Sequence, residues 1–262
     1  MSLAEPSADA TVVITGASSG IGLEIARGLG RRGYPLTLVA RRRDRLEDLA
    51  AELRDAHTVA VDVVSIDLSD GAAREELLDR VRNRSIAGLV NSAGFGTNGP
   101  FQSLPSDRER DQVIVNVLAL TELTHAALPS MIARGFGAVL NIGSIAGFQP
   151  LPGAAVYSAT KAYVQTFSEA VHEGLRGTGV SCTALCPGPV PTEWWEVAGE
   201  PTPGRMAQMS AADVAEAGIS AMLDGKRVVV PGLAPKLAGL GGRITPRALL
   251  LPALRMAATR RR

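Results

Sequence analysis

Tyr157 and Lys161 stand four residues apart in residues 153–176, a stretch whose apolar residues recur every three or four positions. In a helix this spacing puts both side chains on one face, about 6 Å apart along the axis. A free phenol titrates near ~10 and is a poor proton shuttle at neutral pH, but a neighbouring ammonium favours phenolate and is expected to draw it toward ~7. Ser144 lies thirteen residues before Tyr157, just after Val139-Leu140-Asn141-Ile142-Gly143. Its hydroxyl could reach the same substrate oxygen as the phenol. Two hydrogen bonds to one oxygen would polarise a carbonyl, and Tyr157 would donate the proton as negative charge grows there.

A second cluster points to an anion. Thr15-Gly16-Ala17-Ser18-Ser19-Gly20-Ile21-Gly22 joins the β-branched run Thr11–Thr15 to a helical pattern. Gly16 permits a tight turn, Gly20 allows a pyrophosphate to approach the backbone, and Gly22 lets the helix pack closely; Ser18, Ser19 and Ile21 complete the loop. The helix N-terminus adds free N–H donors and a positive dipole. The spacing is Gly-x-x-x-Gly-x-Gly, not the Gly-x-Gly-x-x-Gly of ordinary dinucleotide-binding dehydrogenases. After the second β run come Arg41-Arg42-Arg43, where an NAD-specific protein would carry an acid for the ribose hydroxyls. Arginine there can pair with a 2′-phosphate, so NADP(H) is preferred over NAD(H), with Arg41 the first candidate and Arg42 the second. Positive charge at a helix start opposes the macrodipole, and a bound phosphate would offset that.

These groups need a scaffold. Short β-branched runs at 11–15, 35–39, 58–66, 87–91, 137–142, 180–185 and 227–230 alternate with amphipathic stretches at 20–31, 43–55, 70–84, 107–134, 153–176 and 211–223. Alternation of this kind predicts an α/β fold, a single-domain Rossmann-type doubly wound parallel sheet of about seven strands with helices on both faces. Ser210, with Asp213 three residues on, reads as a helix cap. Residues 1–10 are expected to be a flexible lead-in, 11–230 the catalytic domain with a substrate loop at 193–209, and 231–262 a basic extension.

Thr-Gly-Ala-Ser-Ser-Gly-Ile-Gly resembles the signature of the short-chain dehydrogenase/reductase family. Asp67-Leu68, Asn91-Ser92-Ala93-Gly94, Asn116, Ser144, Tyr157-x-x-x-Lys161 and Pro187-Gly188-Pro189-Val190-Pro191-Thr192 follow in the family's order over about seven tenths of the chain. The resemblance implies hydride transfer between a nicotinamide and a carbonyl or alcohol carbon. It also implies that Asp67 and Leu68 meet the adenine, and that Asn91, Ala93 and Gly94 line the dinucleotide. Lys161 would hold the nicotinamide ribose, and Asn116 a water joining Lys161 to solvent. In the Pro187-Gly188 segment, Val190 and Thr192 would meet the carboxamide. Ser92 stands where the family usually has Asn. By the same resemblance, the helices over 107–134 and 153–176 imply a homodimer or homotetramer.

Substrate identity is left open. Trp194, Trp195, Met206 and Met209 fall in the 193–209 loop, and they suit either a lid over a bulky, apolar substrate or side chains that pin the loop. An acyl-carrier-protein 3-oxoacyl thioester reductase and a non-catalytic dinucleotide sensor are the alternatives, although the complete Ser144, Tyr157 and Lys161 set speaks for turnover.

Composition narrows the partners. The chain has 262 residues, 46% of them hydrophobic and 20% charged, a balance that can bury a large core. Cys182 and Cys186 sit about 13 Å apart if they share one strand, too far to bridge. With three scattered histidines, no metal site is expected. The opening residues are polar and acidic, unlike a signal peptide, and no run reaches ~18 apolar residues, so a cytoplasmic location is expected. Residues 225–262 hold nine Lys or Arg and no Asp or Glu, leaving 18 basic against 26 acidic residues elsewhere. That basic segment lacks interleaved aromatics, which argues against nucleic acid. Three readings of 231–262 stay open: packing over the active site or a second subunit, peripheral contact with an anionic membrane, and a frayed end at 260–262.

Overall fold

Strand and helix alternate along the chain because each β-branched run buries both faces while each amphipathic stretch must cover one of them. In the computed structural model, which describes Leu3, residues 5–199 and residues 209–259, the strands are β1 (Thr11–Thr15), β2 (Leu36–Ala40), β3 (Val61–Ser65), β4 (Ile86–Asn91), β5 (Gly137–Ile142), β6 (Val180–Leu185) and β7 (Val228–Val229). All pair in parallel, in the order β3-β2-β1-β4-β5-β6-β7. The order reverses between β1 and β4, so the crevice of a doubly wound sheet opens at their carboxyl ends.

Successive strand residues point to opposite faces. Val12 and Ile14 join one core layer under α1 (Gly20–Gly30), α2 (Arg43–His57) and α8 (Ala211–Leu223), whereas Val13 joins the other. That second layer is covered by α3 (Gly71–Arg82), α4 (Ser106–Val113), α5 (Leu120–Arg134) and α6 (Ala155–Gly174). By length and hydropathy the run Ser106–Arg134 could cross a membrane. Here Leu123, Ala127 and Met131 pack it into the core instead.

Several expected boundaries move. β3 starts at Val61 rather than Thr58, because α2 continues to His57 and Thr58 ends it in the left-handed region at φ 56°. The helix expected over 107–134 is interrupted by a π-helical segment, Ile114–Ala119, that contains Asn116. Within the 1–10 lead-in, Leu3 is fully buried in the first core layer. Ser210 caps α8 as expected: its hydroxyl accepts from the Asp213 N–H at 3.1 Å and donates to the Asp213 carboxylate at 2.7 Å. Both cysteines are buried thiols rather than a disulfide pair. The basic extension folds as two helices, α9 (Leu233–Ile244) and α10 (Arg247–Thr259).

Candidate active site

One cavity of about 910 Å³ runs along the carboxyl ends of the strands. Its floor at one end is the β1–α1 turn, where Gly16 has φ 69° and a Cβ would lie 2.7 Å from the Ala93 backbone nitrogen. Only glycine fits there. Thr15 ties this turn to the loop after β4, its hydroxyl accepting from the Ser92 and Ala93 N–H groups, each at 3.1 Å. Ser92, the departure from the family pattern, therefore leaves the local turn intact.

Three of the four arginines at 41–45, after β2, divide their work. Arg42 donates to the Ser18 hydroxyl at 3.1 Å and to the Glu193 carboxylate at 2.8 Å. Arg45 also pairs with Glu193, and together Arg45 and Arg42 hold that carboxyl below the usual range. Arg41 is more open, 68% exposed, with Asp67 at 3.6 Å. Both Arg41 and Arg42 line the cavity, as do Ser18, Ser19, Gly20, Ile21, Asp67 and Leu68. Arg42 is the better positioned, because Ser18 already orients it over the glycine-rich turn. Neither Glu193 nor Arg45 was singled out from the sequence, since an ion pair between residues so far apart leaves no local signal.

At the other end Gly147 lets two elements meet. A Cβ there would lie 2.5 Å from the Lys161 carbonyl, so the turn Ile145–Phe148 sits directly on α6. This carries Ser144, at the N-cap of that turn, to the same cavity wall as Tyr157. Lys161 is buried, its ammonium donating to the Ile142 carbonyl at 2.7 Å and lying 5.8 Å from the centroid of the Tyr157 ring. Ser144, Tyr157 and Lys161 all border the cavity.

The electrostatics differ from the expectation. Burial pushes the Tyr157 phenol up to about 12, with the Ser144 hydrogen bond acting against it. Burial likewise pushes the Lys161 ammonium down to about 8, opposed by Cys186. The predicted acidification of Tyr157 by Lys161 is thus absent in this arrangement. Nζ donates to a carbonyl and lies 5.8 Å from the ring centroid, and desolvation by burial is the dominant influence on both groups.

Three assigned residues are not in the cavity wall. Asn91 turns its side chain into the fold, donating to Asn141 Oδ1 at 2.8 Å and Thr124 Oγ1 at 3.2 Å, and so belongs to a buried polar network rather than to a cofactor surface. Asn116 lies beneath the cavity. Its amide donates to the Phe95 carbonyl at 2.9 Å and to Thr160 Oγ1 at 3.1 Å, and its Oδ1 accepts from the Phe95 N–H at 3.1 Å. With both amide protons committed, it positions the Phe95 loop and the helical turn after Tyr157. Gly22 also stands behind the wall; a Cβ there would lie 2.4 Å from the Gly16 carbonyl oxygen.

Ala93, Gly94, Pro187, Gly188, Val190 and Thr192 complete the lining between the two ends. The tryptophans, both on the short helix α7 (Trp194–Val197), separate by role. Trp194 packs against the Tyr157 ring, centroids 4.9 Å apart, whereas Trp195 donates its indole N–H to the Val190 carbonyl at 2.7 Å and pins the loop. Met206 lies outside the described residues. Leu254 and Arg255 of α10 also reach the cavity, as the reading of 231–262 as a segment packed over the active site expects.

An anion-binding turn and a phenol paired with a serine hydroxyl, facing one another across the switch point of a parallel sheet, define a Rossmann-type oxidoreductase that works with a nicotinamide dinucleotide. Residues 10–202 match the family model for short chain dehydrogenase, and the chain belongs to that family. It is 38% identical over 187 residues to sulfoacetaldehyde reductase 2 of Chromohalobacter salexigens, covering 70% of this chain and 73% of that protein. Its fold matches a short-chain dehydrogenase from Sphingobium yanoikuyae solved in complex with NADPH, with TM-score 0.83, 35% identity, and coverage of 93% and 95% of the two chains. A bulky-bulky ketone specific alcohol dehydrogenase from Comamonas testosteroni matches with TM-score 0.78 and 30% identity, over 95% of this chain and 93% of that one.

Proposed function

We propose that the protein is an NADP(H)-dependent reductase of bulky or apolar carbonyl compounds, running in reverse as an alcohol dehydrogenase. The observation that carries this is the continuity of one cavity from the Gly16–Gly20 turn, past Arg41 and Arg42, to Ser144 and Tyr157. The residues present fit the dinucleotide, because the Gly16 turn, close-packed on the Ala93 backbone, lines the same cavity as Ser18, Ser19, Arg41 and Arg42. Residues 16–21 would take the pyrophosphate, Arg42 with Ser18 and Arg41 the 2′-phosphate, and Asp67 and Leu68 the adenine. Lys161 would hold the nicotinamide ribose, and Val190 and Thr192 the carboxamide. Two observations support NADP(H): paired arginines where an acid would read NAD, and the NADPH carried by the Sphingobium relative.

When bound, the reduced nicotinamide supplies a hydride to the carbonyl carbon. Ser144 and Tyr157 hydrogen-bond the carbonyl oxygen and stabilise its developing charge, and Tyr157 delivers the proton. A phenol held near 12 keeps that proton at neutral pH, which suits the reductive direction. Alcohol oxidation needs the phenolate, which burial of Tyr157 disfavours. Trp194 on the Tyr157 ring supplies an apolar wall at the reacting end, in keeping with the ketone class named for the Comamonas relative.

The helical face of α4, the π segment, α5 and α6 is assigned to a second copy of the chain. Val113, Leu118 and Ile132 are exposed there, beside Tyr163 stacked on Phe167 at 5.6 Å. Oxidation of NADPH and of NADH, followed by nicotinamide absorbance against a panel of aldehydes, ketones, steroids and acyl thioesters, tests coenzyme and substrate class together. Fastest turnover of bulky ketones with NADPH is expected, and equal use of both coenzymes would refute the phosphate assignment.

A further inference from the structure

Helix α9 is amphipathic in the reverse sense for a helix of a globular fold. Leu233, Leu237, Leu240 and Ile244 recur at intervals of four, three and four, which aligns them in one narrow stripe. Such a stripe normally faces the core. Here the four side chains are 73%, 61%, 54% and 70% exposed, and the small-residue side of the helix packs against the protein. A Cβ on Gly239 would lie 2.3 Å from the Phe148 ring, and one on Gly242 would lie 2.7 Å from Gln149 Oε1. Backbone contact this close prevents the helix from rolling over to bury its leucines. Leu249, Leu251 and Met256 of α10 extend the exposed apolar surface.

We propose that α9 and α10 together form a docking surface for an anionic lipid bilayer. Charge decides between a bilayer and a second copy. From the start of α9 onward, residues 233–262 carry seven Lys or Arg and no acid, and Lys236 of α9 and Arg247 of α10 are exposed. Two such faces would repel each other, whereas anionic headgroups attract the bases and the acyl boundary accepts the leucines. The face assigned to a second copy, on α4–α6, is separate from this one. Because Leu254 and Arg255 line the active-site cavity, the docking surface is contiguous with the site.

The test is co-sedimentation of the full chain with vesicles of phosphatidylcholine alone and of phosphatidylcholine mixed with phosphatidylglycerol. Binding to the mixed vesicles that weakens as salt rises is expected. Replacing two of the three stripe leucines, Leu237→Glu with Leu240→Glu, should lower that binding at least about tenfold while leaving turnover of a small water-soluble aldehyde unchanged. A Leu237→Ala, Leu240→Ala pair makes the same comparison if the charged variant fails to fold. No binding by the unaltered chain, or equal binding by the variants, overturns the proposal. So does a drop in oligomer mass for the variants by light scattering, which would give the face to a second copy. Vesicle binding is read without turnover, so its outcome is separate from that of the reductase assignment.

Discussion

Lys161→Met should make the protein more stable while removing its activity. Lys161 is buried, and burial lowers its ammonium from 10.5 to about 8. At about 1.4 kcal/mol per decade of displacement, holding the charged form inside the fold costs about 3 kcal/mol. Methionine has a similar length without the charge, but it leaves the Ile142 carbonyl without the 2.7 Å hydrogen bond, a loss of about 1 kcal/mol. A net gain of about 2 kcal/mol is expected, or about 4–8 °C in Tm for a chain of this size. The sign depends on pH. Below its folded value of about 8 the lysine is charged in both folded and unfolded states, and the penalty is complete. Between about 8 and 10.5 the unfolded chain binds the extra proton, so wild-type stability rises with pH. Above that window both states are neutral and the advantage of methionine disappears. Thermal melts of wild type and variant at pH 7 and near pH 10 measure the effect. A variant less stable at pH 7, or equally stabilised at both pH values, would refute the desolvation argument.

Tyr157→Phe should lower kcat by about two to four orders of magnitude with coenzyme affinity unchanged, as read by steady-state rates and fluorescence titration; substantial residual reduction would contradict its role as acid. Arg42→Ala should weaken NADPH binding about tenfold, a part-exposed charged hydrogen bond being lost, and leave NADH binding almost unaltered. Glu193→Gln should act in the opposite direction and raise NADPH affinity about threefold, because a carboxylate that competes with phosphate for Arg42 is removed; equal changes for both coenzymes would exclude that competition. Trp194→Ala should raise KM for bulky ketones about tenfold through lost aromatic contact and spare small aldehydes, so identical effects across a substrate panel would assign the ring to loop packing alone.

The strand–helix alternation was readable because burying both faces of a strand and one stripe of a helix imposes periodicities on nearby residues. For the same reason the glycine-rich turn and the Tyr157–Lys161 spacing could be recognised: each is a local constraint, a φ that only glycine tolerates or two side chains one helical turn apart. Boundaries were less legible. The end of α2 depends on a single left-handed residue, Thr58, and the π segment around Asn116 interrupts a helix whose apolar pattern continues through it.

By itself, the order of residues determined which groups are available for chemistry: an anion-binding turn, cations after the second strand, and a hydroxyl, a phenol and an ammonium in a family's sequence. Packing alone decided what each group faces. It turned Asn91 inward to Asn141, gave Arg42 both Ser18 and Glu193 as partners, and aimed Lys161 at a carbonyl and the face of a ring. It also turned the leucines of α9 outward. The physical reason is that desolvation and hydrogen-bond partners are set by elements distant in the chain, so a side chain's charge state and direction exist only once those elements have come together.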